Sequence, residues 1–194
     1  MAGFIDEFLK SYGPEVTQQM SKNFNVDKGT VQKLIPQLAP LILAGLKKQK
    51  DTHGGDARVD HILNKYGDPS VLNHMNDVIS SKAHASQVDP NLGGLLGDNG
   101  GLQAAQALGS KMNIDTSTIM KMIPALSPLI LGALSKKRDT EGKGLSGIGA
   151  LLDADGDGSI LDDVAGFLMK SGGASSGSAG GLLGSLLKGF GRRR

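Results

Sequence analysis

The sequence has no cysteine, no tryptophan and no marked excess of either charge. Without cysteine among its 194 residues, the chain cannot form disulfides, thiolate nucleophiles, iron–sulfur clusters or cysteine-type zinc sites. Aromatic residues make up 4%, which is too few for the stacking platforms that bind single-stranded nucleic acid. The net charge of +2 lacks the basic excess expected of a protein that binds nucleic acid. We therefore expect no nucleic-acid partner.

Long hydrophobic runs and targeting signals are also missing. The longest mostly apolar stretches, residues 34–46 and 122–134, have 13 residues each and lie next to lysines. A membrane-spanning helix needs about 20 apolar residues, so both stretches indicate buried core helices. The N-terminus lacks the basic region of a secretory signal. These features predict a cytoplasmic protein, with unconventional export left open.

Motifs of the common catalytic sites are absent. The sequence contains neither the His-Glu-x-x-His pattern of zinc proteases nor the Gly-x-Ser-x-Gly turn of hydrolases. Gly142, Lys143 and Gly144 lack the leading glycine and the hydroxyl residue of a phosphate-binding loop. We therefore expect no enzymatic activity.

An internal repeat organises the chain. Residues 30–54 read TVQKLIPQLAPLILAGLKKQKDTHG, and residues 118–142 read TIMKMIPALSPLILGALSKKRDTEG, at a constant offset of 88. Between residues 16–52 and 104–140, 16 of 37 positions are identical. A match of this length indicates that a helical unit has been duplicated.

Each copy has predictable boundaries and a predictable interruption. Asp27 and Asp115 are predicted N-caps, because a carboxylate there accepts hydrogen bonds from the free N–H groups of the first turn. Interior prolines remove such a donor and clash with the preceding turn. We therefore expect a helix–break–helix unit whose second helix begins near Ala39 in one copy and Ser127 in the other. Each copy carries two of these prolines, four residues apart: Pro36, Pro40, Pro124 and Pro128.

The repeat predicts the fold class and the organisation of the chain. We expect an all-α fold in which two tandem helix–break–helix copies pack as one pseudo-symmetric helical core, followed by a flexible Gly-rich tail. The first repeat spans residues 1–90 and a Gly-rich linker spans 91–101. The second repeat spans 102–170, and a Gly/Ser linker with a Leu/Phe/Arg tail spans 171–194.

An aspartate-rich loop lies near the end of the second repeat. Its carboxylates alternate with small residues at loop positions 1, 3 and 5, a glycine stands at position 6 and a backbone carbonyl is available at position 7. Oxygen donors in this spacing are typical of calcium loops. The sequence therefore predicts one Ca²⁺ site, formed by the side chains of Asp153, Asp155, Asp157 and Asp162 and the carbonyl of Ser159.

This loop departs from an EF-hand. Position 12, where a bidentate glutamate is expected, is Val164, so the closing acid is Asp162 at position 10. In this respect the loop resembles the shortened calcium loops of the excalibur type. The alternative is an Asp/Gly-rich turn that caps the following helix and binds no ion.

The first repeat contains a counterpart of the loop. At an offset of 89, residues 63–74 match residues 152–163, but Tyr66 replaces an acid and Pro69 replaces the turn glycine. We expect this copy to form a metal-free loop, with Asn64 and Asp68 as turn residues.

The last segment, residues 182–194, begins with Leu182 and ends in three arginines, the last of them Arg194. Leucines followed by arginines suit docking on a protein, including another copy of this chain. The same pattern also allows contact with an anionic membrane.

Taken together, these motifs resemble the bacterial domain of unknown function 937 (YidB-like). The resemblance is carried by the IP-x-L-x-PLIL core in both copies, the LDADGDGS loop and the Gly/Leu/Phe/Arg ending. It implies an all-helical fold and a bacterial source, and it implies no activity. The sequence predicts a non-enzymatic, calcium-binding structural or protein-interaction module whose ion orders the C-terminal region, with possible self-association. The alternative is a peripheral membrane protein that uses residues 182–194.

Overall fold

A computed structural model of the protein describes residues 3–141, which form six α-helices and a short 3-10 helix. No strand occurs in this range, and the prediction of an all-α fold is confirmed. The helices are α1 Phe4–Phe24, α2 Lys28–His53, α3 Gly55–Tyr66, the 3-10 helix Pro69–Asn73, α4 Met75–Ala83, α5 Gly100–Met112 and α6 Thr116–Glu141.

The sequence repeat is also a repeat of structure. Helices α2 and α6 both have 26 residues, and their first residues, Lys28 and Thr116, differ by the sequence offset of 88. The preceding helices, α1 and α5, end at Phe24 and Met112, again at the same offset. Each unit therefore pairs a first helix with a longer second helix.

An asparagine forms the corner between the two helices in each unit. Asn25 has φ 53° and Asn113 has φ 54°, both in the left-handed region, where asparagine is tolerated better than most residues. The residue after each asparagine donates its N–H back into the preceding helix, from Val26 to the Ser21 carbonyl at 3.2 Å and from Ile114 to the Gly109 carbonyl at 3.0 Å. The two corners thus close by the same geometry.

Aspartates start both long helices, as predicted. The Asp27 carboxylate accepts the Thr30 N–H at 2.9 Å, and the Asp115 carboxylate accepts the Ser117 N–H at 2.7 Å. These bonds satisfy N–H groups of the first turn that have no partner within the helix.

The predicted break at the prolines is wrong, because α2 and α6 run without interruption through them. Two prolines spaced four residues apart lie on one side of a helix, so the missing donors affect a single row of carbonyl groups. Side chains on the other sides of the helix are buried in the core. Leu34, Leu38 and Ile42 of α2 are 0% exposed. Each such side chain contributes about 1.5–3 kcal/mol when buried, whereas an interior proline costs about 3 kcal/mol. The summed burial therefore holds the helix together.

Buried residues of both copies belong to one hydrophobic cluster, so the two repeats share a core. Helix α6 lies at its centre and packs against α1, α2, α3, α4, α5 and the 3-10 helix. By length and composition, residues 116–140 of α6 could cross a membrane, because they contain an 18-residue window with a mean hydropathy of 1.5. Within the described structure 67% of that window is buried, which is the pattern of a core helix.

The two units pack reciprocally. The beginning of α1 lies against the end of α6, where Lys137 forms an ion pair with Glu7. The segment that precedes α5 lies against α2, with Leu95 and Leu96 7% and 2% exposed. A Cβ atom at Gly45 of α2 would lie 2.7 Å from the Leu95 carbonyl oxygen and 2.9 Å from a Leu96 methyl group. Glu7 and Leu95 lie at matching positions, at the offset of 88, so each unit places the same part of its chain on the long helix of the other unit.

The cap of α6 predicts an acid-dependent loss of stability. The Ser117 hydroxyl and backbone N–H donate to the Asp115 carboxylate and hold its pKa below the ordinary value of 3.8. A group with a lowered folded-state pKa stabilises the fold above its unfolded pKa, and this contribution is lost as the pH falls through the folded pKa. We expect Asp115→Asn to be less stable than the natural chain near neutral pH. The gap should close below about pH 4.

Urea denaturation of both chains across this pH range measures the gap. The matched variant Ser117→Ala lacks the hydroxyl donor and should show a smaller pH-dependent contribution. A gap between the natural chain and Asp115→Asn that is the same at all pH values would contradict this account of the cap.

Candidate functional site

The five predicted calcium ligands lie outside the described residues, as do the linker and tail of residues 171–194. These ligands are Asp153, Asp155, Asp157, Ser159 and Asp162. Within residues 3–141, no group of three or more histidine, aspartate and glutamate side chains is placed to hold a metal ion. The structure therefore bears on the predicted site through the matching turn of the first repeat.

That turn connects α3 to the 3-10 helix and is organised by Asp68. Its carboxylate accepts the Ser70 N–H at 2.9 Å and the Ser70 hydroxyl at 2.8 Å. Both hydrogen bonds favour the charged form, and the pKa of Asp68 is lowered, chiefly by the bond from the Ser70 backbone. The prediction that Asp68 is a turn residue is confirmed.

Asn64, also predicted to lie in the turn, is instead part of α3. Val59, Ile62 and Leu63 are all buried on one side of that helix, and this packing extends the helix to Tyr66, beyond the point where the turn was expected. The Asn64 amide oxygen accepts a hydrogen bond from Arg138 of α6 at 3.0 Å. Asn64 therefore connects two helices.

The turn lies directly on α6. A Cβ atom at Gly67 would be 2.6 Å from the Ser135 hydroxyl oxygen and 2.8 Å from the Leu131 carbonyl oxygen. On the facing helix, a Cβ atom at Gly132 would be 2.9 Å from the Asp68 carbonyl oxygen. Glycine on both surfaces is what permits this close approach.

Arg138 fixes the end of α6, 15 residues before Asp153, the first predicted calcium ligand. Its guanidinium contacts the Asp60 carboxylate of α3 at 2.5 Å and the adjacent Asp139 carboxylate at 2.8 Å. Burial alone would lower the pKa of Arg138, but the two carboxylates raise it above its ordinary value. The charge of this residue is therefore permanent, and its ion pair with Asp60 holds the end of α6 against α3.

A cavity of about 380 Å³ lies between α3, α6 and the segment after α4. Arg58, Lys82 and Asp89 bring charge to its lining, and Tyr66 and Ser127 bring hydroxyl groups. This volume is at the small end of the range for small-molecule sites. The walls are otherwise mainly apolar.

Two of the charged groups in this cavity already have partners. The Asp89 carboxylate accepts the N–H groups of Asn91 at 2.8 Å and Gly93 at 2.6 Å, so it serves to fold the segment that follows. The Arg58 Nε donates to the Gln49 side chain at 3.0 Å. Both groups hold the cavity walls in place.

Ser127 was not singled out as a site residue, yet it is the unusual group of this cavity. It is 5% exposed, and its hydroxyl has no hydrogen-bond partner among the described residues. An activated nucleophile requires a hydrogen-bonded base, and Ser127 has none in this part of the structure. The sequence contained one signal that Ser127 is unusual. The matching position of the first copy is the apolar Ala39.

Comparison with known proteins places the chain in a family. The family model described as a bacterial protein of unknown function (DUF937) matches residues 6–137 and again residues 101–193. The chain therefore belongs to this bacterial family, and the two overlapping matches agree with the internal repeat. No curated protein and no solved structure matches the chain.

The unpaired hydroxyl of Ser127 predicts that Ser127→Ala stabilises the protein. Removing a buried polar group without a partner should raise the free energy of unfolding by about 1 kcal/mol, and alanine is also the better helix former. For a chain of this size, the change corresponds to a rise of about 2–4 °C in the thermal midpoint. Circular dichroism during thermal unfolding measures it.

Ser70→Ala is the matched control, because the Ser70 hydroxyl is bonded to Asp68. We expect that variant to lose stability. A loss of stability in Ser127→Ala would contradict the account and indicate that a water or a bound molecule holds the hydroxyl.

Proposed function

We propose that this chain is a non-enzymatic, calcium-binding structural or protein-interaction module in which one Ca²⁺ ion orders the C-terminal region. The observation that carries the proposal is the alternation of three carboxylates ahead of a glycine in residues 153–158. All proposed ligands supply oxygen, the donor that Ca²⁺ prefers. They are Asp153, Asp155, Asp157, Asp162 and the carbonyl of Ser159.

The first repeat supports this proposal by analogy. Its matching residues lie at the end of α3 and the start of the 3-10 helix, and calcium loops likewise stand between two helices. Tyr66, the counterpart of Asp155, is 55% exposed. An ion could reach a site at such a position from solvent.

The proposed ion would neutralise the negative charge of the loop. Five aspartates fall within residues 153–163, and their mutual repulsion disfavours a tight loop until a cation neutralises it. An ion that binds only the folded loop stabilises it by mass action. The proposed ordering further requires that the bound and free states differ in the region beyond the loop.

The ordered region would present residues 171–194 to a protein partner or to another copy of the chain. Membrane contact through residues 182–194 is the second candidate, supported by the leucines and the three terminal arginines. Gly184 and Gly189 lower the helix propensity of that segment, which is why we place it second.

Isothermal titration of calcium into the chelator-stripped full chain tests the proposal. We expect one site with a Kd of about 1 µM or tighter, in the range of sensor-type loops. The double variant Asp155→Asn, Asp157→Asn removes two anionic ligands and should lose this binding.

The matched control is Asp68→Asn, which changes the counterpart of Asp157 in the first repeat. It should leave the titration unchanged, because the proposed ion does not touch that turn. Absence of binding in the natural chain, or equal binding in the double variant, would contradict the proposal.

A further inference from the structure

The matching long helices α2 and α6 differ in how fully one face is covered. On α6, Ala125 and Leu129 are 0% exposed and Gly132 is also buried. These residues recur every three or four positions and therefore lie on one face of the helix. The residues at the same positions of α2 are all partly exposed: Gln37, Leu41 and Ala44.

The covering layer on α6 comes from the first repeat. A Cβ atom at Gly132 would lie 2.8 Å from a Val71 methyl group, and the Lys121 ammonium donates to the Ala83 carbonyl at 3.1 Å. Residues 67–83 thus run along α6 from its Gly132 end to its Lys121 end. Lys33, the counterpart of Lys121 on α2, is exposed.

The second repeat contains a matching segment at residues 156–170. Three residues of the covering layer are buried, with exposures of 7% for Leu72, 3% for Met75 and 0% for Ile79. Their counterparts at the offset of 89 are all apolar: Leu161, Val164 and Leu168. A segment with this pattern needs an apolar surface to cover.

Two observations direct this segment to α2. Reciprocal packing already holds for Glu7 and Leu95, which lie at matching positions of the two units and each contact the long helix of the other unit. The chain between the end of the long helix and the covering segment is also long enough. In the first unit 14 residues lead from His53 to Gly67, and in the second unit 15 lead from Glu141 to Gly156. The shorter connection suffices to carry the chain from the end of α2 to the face of α6.

We propose that residues 156–170 pack within the same chain against the α2 face formed by Gln37, Leu41 and Ala44. Ala44 stands where α6 has Gly132, so its methyl group holds the second turn farther from the helix than the first. The proposal does not rest on calcium binding, because it follows from the apolar pattern and from the partly exposed face.

A chain without cysteine permits a direct test by disulfide crosslinking of the full-length protein. Ala44→Cys combined with Ile160→Cys places thiols at the positions that match Gly132 and Val71. We expect an intrachain disulfide on mild oxidation, with calcium or with chelator, because docking brings the two Cβ atoms to the separation of about 3.5–4.5 Å that a disulfide requires. Mass spectrometry of the non-reduced digest identifies the linked peptides.

Two further pairs control the experiment. Val71→Cys with Gly132→Cys reports the contact already described on α6 and should form the bond, with the turn moving outward because the new Cβ atom would otherwise lie 2.9 Å from the Asp68 carbonyl oxygen. Gln32→Cys with Ile160→Cys uses an exposed residue on another side of α2 and should not. Failure of the Ala44–Ile160 pair while the Val71–Gly132 pair forms would overturn the proposal. Disulfide-linked dimers in place of the intrachain bond would also overturn it, because the occupant would then be a second copy.

Thiol labelling gives a second readout that needs no crosslink. We expect the single variant Leu41→Cys to react roughly tenfold more slowly than Thr52→Cys, an exposed site on the same helix. Adding Ile160→Asp should remove this protection, and equal rates without that change would overturn the proposal. Calcium titration is independent of both readouts, so the docking and the ion site can fail separately.

Discussion

The burial of two long helices against each other and against their neighbours is the constraint on which the rest of this structure depends. Each of them, α2 and α6, carries two interior prolines, and in isolation such a sequence would break. Burial reverses that outcome, because residues beside the prolines lie in the shared core, Ile35 and Ala39 in α2 and Ile123 and Leu129 in α6. The helices are therefore products of tertiary packing more than of local preference.

Duplication explains how this packing is achieved. One unit of a short and a long helix cannot bury its long helix by itself. In a pair of units, each covers the long helix of the other. The reciprocal contacts of Glu7 with Lys137 and of Leu96 with Gly45 are the visible result. Within residues 3–141 one face of α6 is covered and the matching face of α2 is partly exposed, and this difference is the basis of the proposed docking of residues 156–170.

Sequence reasoning reached the repeat, the fold class and the start of each long helix because these depend on local chemistry. An N-cap such as Asp27 acts only on the first turn of its own helix. Because the two copies share the same spacing, each copy supports the prediction made for the other. The helix break was wrong because proline propensity is local while the burial that overrides it is not. Asn64 was misplaced for the same reason, since packing on one side of α3 extended the helix past the expected turn. The cavity beside Ser127 could not be predicted, because it arises from three segments far apart in the sequence.

The connection to function is carried by the first repeat, where Asp68 organises a turn on the surface of α6. We propose that the second repeat uses the matching residues, supplied with alternating carboxylates, as a calcium site. Arg138 holds the end of α6, the last described helix before that loop, against α3. In this proposal the metal loop and the covering segment, residues 156–170, overlap in sequence.

Hydrogen exchange of the backbone amides, followed by NMR in the full-length chain, tests the central claim most directly. Continuous, packed helices predict that the amides of residues 37–39 and 41–43, which flank Pro40, exchange as slowly as those of Leu34 and Leu46. The matching amides around Pro128 should behave in the same way. Fast exchange confined to the proline regions, with slow exchange on either side, would show that each long helix is broken in solution and would contradict the account.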